Sequence, residues 1–391
     1  MSYLEKLLDG IEVEWKALGE VCKVLRGKRL TKKELSENGK FPVFHGGLVP
    51  LGLYDKYNRK ENQTMIINTG SIGEIVWSGV KFWSSDGTFV VETNETIEDK
   101  FLYYFLKTQE QYLKSQKREG GVPTIDRIVV ESLQIPIPPL EIQKEIVRIL
   151  DTFTELTAEL TAELTARKKQ YNYYRNNLLS FEEGEVEWKT LGEVIKSLKT
   201  GLNPRQNFQL NTSDAKGFYV TVREIQNGNI VFVGQTDRVN ERALELINNR
   251  SNLEAGDVIF SGTGTVGRTA VISTNPQNWN IKEGVYVIKP NQDIINSRFL
   301  AHLLNASHIV KEYSKKIVGS PVISLPMSEL KKLQIPVPPL GEQARIVSIL
   351  DKFDTLTTSI SEGLPKEIEL RKKQYEYYRD MLLTFPKNNI E

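Results

Sequence analysis

A single cysteine, Cys22, serves the whole chain of 391 residues, so neither an intrachain disulfide nor a cysteine-built metal cluster can form within it. Histidine is nearly as scarce. His45, His302 and His308 lie too scattered for an obvious metal site, and His302, set among apolar residues, reads as a packed core histidine; no metal is expected. An excess of one charge is missing too: the formal net charge is +1, which neither demands nor excludes nucleic acid, because a local basic face on a balanced protein still steers a polyanion. No apolar run approaches the ~18 residues needed to span a bilayer, and the opening MSYLEKLLDG lacks the apolar region of a signal peptide. A cytoplasmic protein with no membrane partner is the expectation. At 39% hydrophobic and 26% charged residues, the chain reads as two or three ordinary domains.

What the chain does have is self-similarity. The stretch Leu133–Phe181, LQIPIPPLEIQKEIVRILDTFTELTAELTAELTARKKQYNYYRNNLLSF, recurs as Leu333–Phe385, LQIPVPPLGEQARIVSILDKFDTLTTSISEGLPKEIELRKKQYEYYRDMLLTF. The chain is therefore two copies of one unit. Pro136, Pro138 and Pro139, with Pro336, Pro338 and Pro339, hold an extended entry that cannot be helical. A helix follows in each copy. Its apolar seam runs through Ile142, Ile146, Ile149, Phe153, Leu156, Leu160, Leu164, Tyr171 and Tyr174, then Leu178 and Phe181; in copy two it runs through Ile346, Ile349, Phe353, Leu356, Ile360, Leu364, Ile368, Tyr375 and Tyr378, then Leu382 and Phe385. Steps of four and three face one partner. Copy one spells a four-residue unit, Thr-Ala-Glu-Leu, in full at 157–160 and 161–164, which inserts stutters that locally unwind a supercoil. Copy two is one four-residue step longer, and its Gly363 and Pro365 predict a kink. Some 40 residues at ~1.5 Å each make a rod of about 60 Å, too long for one domain core. The natural partner of one seam is the other, as an antiparallel pair within the chain; homodimerisation through the same seams is the alternative.

Between the rods lie two segments, 12–132 and 185–332, of a different texture: short β-branched and aromatic runs punctuated by Gly, Asn and Asp. Residues 65–68, 74–78 and 87–93 in the first head, and 218–225, 229–233, 257–261, 268–273 and 284–290 in the second, read as strands. Each head closes on a helical piece, 101–117 and 297–316. The fold class is thus α+β: two globular α/β heads joined by two long antiparallel, coiled-coil-like helices, with an internal pseudo-two-fold repeat. The heads match at their entries (VEWK-LGEV at 13–21 and 186–194), at their glycine turns (Gly70–Gly73 and Gly264–Gly267) and at their exits, and diverge between. Tyr3 and Leu7-Leu8 repeat Tyr174 and Leu178-Leu179, so the N-terminus opens with a remnant of a rod's last turn.

Several motif matches fail on context. Gly262-Thr-Gly264-Thr-Val-Gly267 satisfies G-x-G-x-x-G, but a dinucleotide site or phosphate loop needs a helix to begin there, and the strand-like RTAVIS comes next. A hairpin turn explains the glycines. Glu14-Trp15-Lys16 and Glu187-Trp188-Lys189 resemble half of a nuclease signature without its upstream carboxylate, and fold geometry around a buried Trp accounts for them. No Asp/Asn-Pro-Pro-Tyr tetrad is present, so no catalytic residue and no cofactor is expected. The basic residues are more suggestive. Lys28, Arg29, Lys32, Lys33, His45, Arg59, Lys60 and Arg118 in the first head, and Lys199, Arg205, Arg223, Arg238, Arg268, Lys282, Lys315 and Lys316 in the second, fall in loops mixing Arg and Lys with Asn, Gln and aromatics. Groove readout needs such a mixture, because Arg grips guanine and Asn or Gln adenine. Taken singly, any one of these is more often a solvated surface charge.

The repeated LQIP-PPL-Q-IV-ILD segment, the Thr-Ala-Glu-Leu units, the RKKQY-YYR-LL-F ending and the cyclic arrangement together resemble the specificity subunit of type I restriction-modification systems, over essentially the whole chain. The resemblance implies that residues 1–140 and 182–340 are two target-recognition domains, 141–181 and 341–391 are conserved spacer helices, and the seam residues form the spacer and subunit interface. It implies double-stranded DNA as partner, recognised at a split, asymmetric target, together with two modification (methyltransferase) subunits and ATP-driven restriction subunits. Methylation and cleavage belong to those partners, and this chain should bind neither cofactor. Antiparallel rods relate the heads by an approximate two-fold axis, letting them meet opposite strands in equivalent ways. A coiled-coil adaptor whose heads bind proteins is the competing class and predicts no salt-sensitive DNA binding; an autonomous nucleotide-using enzyme would rest on the glycine matches alone.

Overall fold

The computed structural model describes residues 3–8, 10–118, 123–182, 184–205, 207–359 and 362–386. Packing divides the chain into two units, one comprising 1–159 with 369–391 and the other 160–368. Each unit therefore holds one head, the beginning of one rod and the end of the other.

In the first head the three strands read from the sequence join a fourth, Cys22–Arg26, in one antiparallel sheet, in the order Cys22–Arg26, Thr88–Thr93, Gln63–Ile67, Ile75–Ser78. Successive side chains of a strand point to opposite faces, and both faces are covered. Ile66, Ile75, Phe89 and Val91 pack with Phe101, Leu102 and Phe105 of the helix Asp99–Thr108. Met65, Ile67, Val76 and Val90 pack on the other face with Phe44 and Phe82. A smaller sheet, Gly52–Tyr54, Phe41–Phe44 and Trp83–Ser84, lies beyond.

The second head repeats the main sheet strand for strand, Ile195–Thr200, Val285–Pro290, Val258–Ser261, Thr269–Val271, despite little shared sequence. Val258, Phe260, Tyr286 and Ile288 pack with Phe299, Leu300, Leu303 and Leu304 of the helix Ser297–Leu304. Elsewhere this head departs from the pattern expected of its sequence. The run 218–225 is a strand over Gly217–Val220, makes a single tight turn, Val222–Glu224, closed by Thr221 and Glu224, and becomes strand again at Ile225–Gln226. Of 229–233 only Asn229–Ile230 pairs. The helix Glu241–Ser251, which no apolar periodicity announces, is capped by Asn240 accepting from the Ala243 N–H and ends on Asn252 in the left-handed region. The helical pieces are each broken in two, Asp99–Thr108 with Glu110–Ser115 and Ser297–Leu304 with Ser307–Ser314.

The repeated proline segments are extended, as expected, and each pairs with the repeated VEWK entry: Gln134–Ile137 with Glu14–Ala17, and Gln334–Val337 with Glu187–Thr190. These ribbons have two strands only, so a proline's missing N–H costs no ladder bond on a second side. The tryptophans at their centres are not buried. Trp188 is 39% exposed, and Trp15, half-buried, meets Phe105 edge-on and donates to the Pro386 carbonyl.

The first rod is one helix of 39 residues, Leu140–Leu178. The second is interrupted: Leu340–Thr358 and Gly363–Leu383 are separate helices. The predicted kink is thus a full break, because Gly363 takes φ +80°, where a Cβ would lie 2.6 Å from the Thr355 carbonyl oxygen. Pro365 then sits in a first turn, where no N–H is needed. The fully buried stripe begins Ile142, Ile146, Leu150 and Ile346, Leu350, with Ile149 and Ile349 only half-buried. Leu156, Leu160, Leu164 and Leu356 are half-buried, Leu364 and Ile368 are buried, and Ile360 lies outside the described residues.

Antiparallel pairing of the rods is visible inside each unit. Phe153, near the start of the first rod, stacks on Tyr378 at the end of the second (5.1 Å); Phe353 stacks on Tyr174 (5.5 Å) and Tyr171 (6.1 Å).

Candidate nucleic-acid interface

In both heads the edge strand of the main sheet runs out to a glycine pressed against foreign backbone. A Cβ would lie 1.9 Å from the Ser85 carbonyl oxygen at Gly27, and 1.7 Å from the Ile281 carbonyl oxygen at Gly201. Only glycine permits that approach, and each glycine opens a basic loop. In the first head the loop is pinned by buried Leu30, whose N–H donates to Ser85 Oγ, and by Trp83 Nε1 donating to the Lys28 carbonyl. Lys28, Arg29, Lys32 and Lys33 stand exposed on this fixed backbone and make no ion pair among the described residues. In the second head the corresponding loop carries exposed Arg205, held at φ +36°, over a recess of about 370 Å³ that Asn203, Tyr219, Asp237 and Lys282 also line. Lys199, on the strand before it, is half-buried.

The remaining candidates divide by what already holds them. Arg59 is half-buried, donating to the Asn58 and Arg26 carbonyls (3.0 and 3.1 Å), and burial lowers its pKa. Arg268 donates to the carbonyls of Val222 and Ile225. Arg223 is exposed but bonded to fully buried Glu224 (2.8 Å); burial pushes that carboxyl up, yet bonds from Thr221 and Arg223 outweigh it and leave it below its ordinary value. Arg118 pairs with Asp126 (2.6 Å) and Lys315 with Glu312 (2.7 Å). His45 Nδ1 lies 3.3 Å from Asp86. Lys60 and Lys316 are exposed. Arg238 lies over the Phe218 ring (4.6 Å), which stacks on Phe232 (4.2 Å). Exposed cations thus stand in the two glycine-led loops and elsewhere on both heads, while Arg59 and Arg268 are held by backbone carbonyls.

How a head is fixed to a rod was not read from the sequence, and the two units answer alike. Gln143 is fully buried: its Oε1 accepts from the Glu98 N–H (2.8 Å) and its Nε2 donates to the Thr96 and Pro138 carbonyls (2.9 and 2.8 Å). Gln343 repeats this with the Asn296 N–H and the Ile294 and Pro338 carbonyls. Two turns along, Asp151 takes Lys100 (2.7 Å) and Tyr104 (2.5 Å) from the head helix. Its counterpart Asp351 takes Arg298 (3.0 Å) and His302 Nε2 (2.8 Å), and His302 Nδ1 faces the Tyr171 hydroxyl (3.2 Å). His302 is therefore a hydrogen-bonded junction residue and not an apolar filler. With Asp351 and Asp354 it brings one nitrogen and two carboxylate oxygens within 4.8 Å of one another, but both ring nitrogens already have protein partners. Burial pushes the Asp351 carboxyl up, but His302 and Arg298 outweigh it and hold the pKa below its ordinary value. Burial raises that of Asp354. The signal for these junctions was present: Gln and Asp recur at the same places in both copies, inside an otherwise apolar stripe.

Comparison with known proteins agrees on one family. The model of the type I restriction modification DNA specificity domain matches residues 11–167 and again 183–370. The chain is 38% identical to the type I restriction enzyme EcoR124I/EcoR124II specificity subunit of Escherichia coli, covering 99% of this chain and 98% of that one. It is 34% identical to a putative type I restriction enzyme specificity subunit of Haemophilus influenzae, covering 98% of each. Among solved structures it is similar in fold to the type I restriction-modification S subunit from M. genitalium, with TM-score 0.64 at 20% identity over 99% of this chain and 100% of that one.

Proposed function

The chain belongs to the type I restriction-modification specificity-subunit family, and from that premise we propose that each head reads one half of a split DNA target while the rods carry the partner subunits. Residues 1–140 and 182–340 are the readers, and 141–181 and 341–391 the spacer and docking elements. The chain contributes no catalytic group or cofactor site; two modification subunits and the ATP-driven restriction subunits supply the chemistry, in the cytoplasm.

The observation that carries this reading is sameness of scaffold with difference of loop. Both heads keep one four-stranded order and one Gln/Asp junction, yet the glycine-led loop after the edge strand is Lys28-Arg29-Leu30-Thr31-Lys32-Lys33 in one and passes through Asn203 and Arg205 in the other. A constant frame with two different basic loops suits a reader of two different half-sites: phosphate contacts position it, and base-edge contacts specify. Arg59, bonded to the Arg26 carbonyl, is assigned to bracing the first loop, and Arg268 to bracing the turn at 222–225.

The test is an exchange of heads. Replacing residues 185–332 by the corresponding head of another family member should change one half of the methylated target and leave the other half unaltered. A change in both halves contradicts the modular reading.

A further inference from the structure

Ile142, Ile146 and Ile346 of the seam are buried, and Phe153 with Tyr378 and Phe353 with Tyr174 are stacked in pairs, so a docked partner must use what the rods leave exposed. One exposed feature is built the same way in both units. In one, Phe353 stacks on Tyr174 (5.5 Å, 26°), and Tyr174 meets Tyr173 edge-on (5.6 Å, 74°). In the other, Phe153 stacks on Tyr378 (5.1 Å, 19°), and Tyr378 meets Tyr377 edge-on (5.5 Å, 79°). The outer rings are 63% and 65% exposed. Each ladder thus carries a large amphipathic ring from the rod pairing out to solvent and fixes it there before any partner arrives. Lys168 and Lys169, and Lys372 and Lys373, stand exposed one turn before each outer ring.

Resting on the proposed function, we propose that Tyr173 and Tyr377 are the two equivalent anchor points for the modification subunits, one per unit, each entering an aromatic-accepting pocket with an acidic rim. A rigid, part-exposed tyrosine with exposed lysines one turn before it, of which Lys373 is paired with Glu369, is the composition of an interface anchor, where a few pre-ordered aromatics carry most of the binding energy and charges at the rim set approach and register. Duplex DNA fits less well: phosphate contacts draw on cations and free backbone N–H groups, and the middle of a helix offers none of the latter. Duplication supplies the stoichiometry, since one chain presents the same anchor twice.

The experiment mixes the full chain with its cognate modification subunit, without DNA, and reads the mass of the complex by sedimentation and native mass spectrometry. Wild type should take up two modification subunits. Tyr173→Ala and Tyr377→Ala should each take up one, with affinity at the altered site reduced about 30-fold or more, and the double variant should take up none; Tyr173→Phe and Tyr377→Phe should retain two. Variants that keep two partners within about threefold of wild-type affinity overturn the anchor assignment alone. A wild-type chain that binds no modification subunit overturns the proposed function with it. Loss of self-association, or of DNA affinity in the isolated chain, in place of partner loss shows that a second copy or DNA is the occupant and contradicts the proposal.

Discussion

Deleting one Thr-Ala-Glu-Leu unit, residues 157–160, tests whether the first rod sets the gap between half-sites. The helix Leu140–Leu178 is unbroken, so removing four residues shortens it by ~6 Å and rotates its downstream part by ~400°, a net turn of about 40°. The seam survives this, because Leu156, Leu160 and Leu164 are half-buried at four-residue steps and one replaces the next. The nearby Glu163–Arg167 ion pair (3.3 Å) is kept, and an exposed pair of that kind is worth only about 0.5 kcal/mol. With base pairs rising ~3.4 Å, the preferred gap should shrink by about one to two base pairs, and inserting a unit should lengthen it equally. Both half-sites should keep their bases, since no head residue changes. The assay is methylation, or binding with the modification subunit, across targets differing only in gap length. A two- or three-residue insertion turns the seam by ~200° or ~300° and should impair assembly without resetting the gap. If the four-residue deletion still prefers the original gap, the rod is not the ruler.

The junctions can be tested by substitution. Gln143→Leu leaves the Glu98 N–H and the Thr96 and Pro138 carbonyls unpaired and should cost about 3–5 kcal/mol, seen as faster amide exchange at residues 96–98 but not at 294–296; Gln343→Leu should do the converse. Asp351→Asn should destabilise the second unit by about 1–3 kcal/mol at pH 7. A carboxyl held below its unfolded value contributes stability that is full above that value and fades as pH falls through the folded pKa, so the deficit should be full above about pH 4 and shrink as pH falls below it. Asp354, whose pKa is raised by burial, has the opposite sign: Asp354→Asn should be neutral or stabilising at pH 7. Equal losses for both variants at pH 7, read by urea unfolding, would contradict the assignment.

Three strands of each main sheet were legible as β-branched and aromatic runs, whereas the edge strands Cys22–Arg26 and Ile195–Thr200, interrupted by exposed Lys23 and Lys196, were not; the rods were legible because their seam persists over many turns. The helix Glu241–Ser251 was not, since its fully buried apolar side chains are only Ala243 and Ile247; its Asn caps were the readable sign. The second head's strand Gly217–Val220 pairs with two distant strands, Arg238–Val239 and Trp279–Ile281, which no local pattern announces. Gly363 and Pro365 marked where the second rod fails, but a kink and a break differ only in whether the chain must enter the left-handed region. Among the cations, composition could not separate Arg59 and Arg268, which donate to backbone carbonyls, from cations without such partners. Their acceptors are backbone carbonyls, all but that of Asn58 remote in sequence, which carry no side-chain signature.

The central claim, one head for each half of a split target, is tested most directly by selecting bound fragments from random duplex DNA with the full chain and its cognate modification subunit. The account predicts two short fixed motifs, unlike each other, separated by an unspecified gap of constant length. A single uninterrupted motif, or salt-insensitive retention with no motif at all, would contradict it.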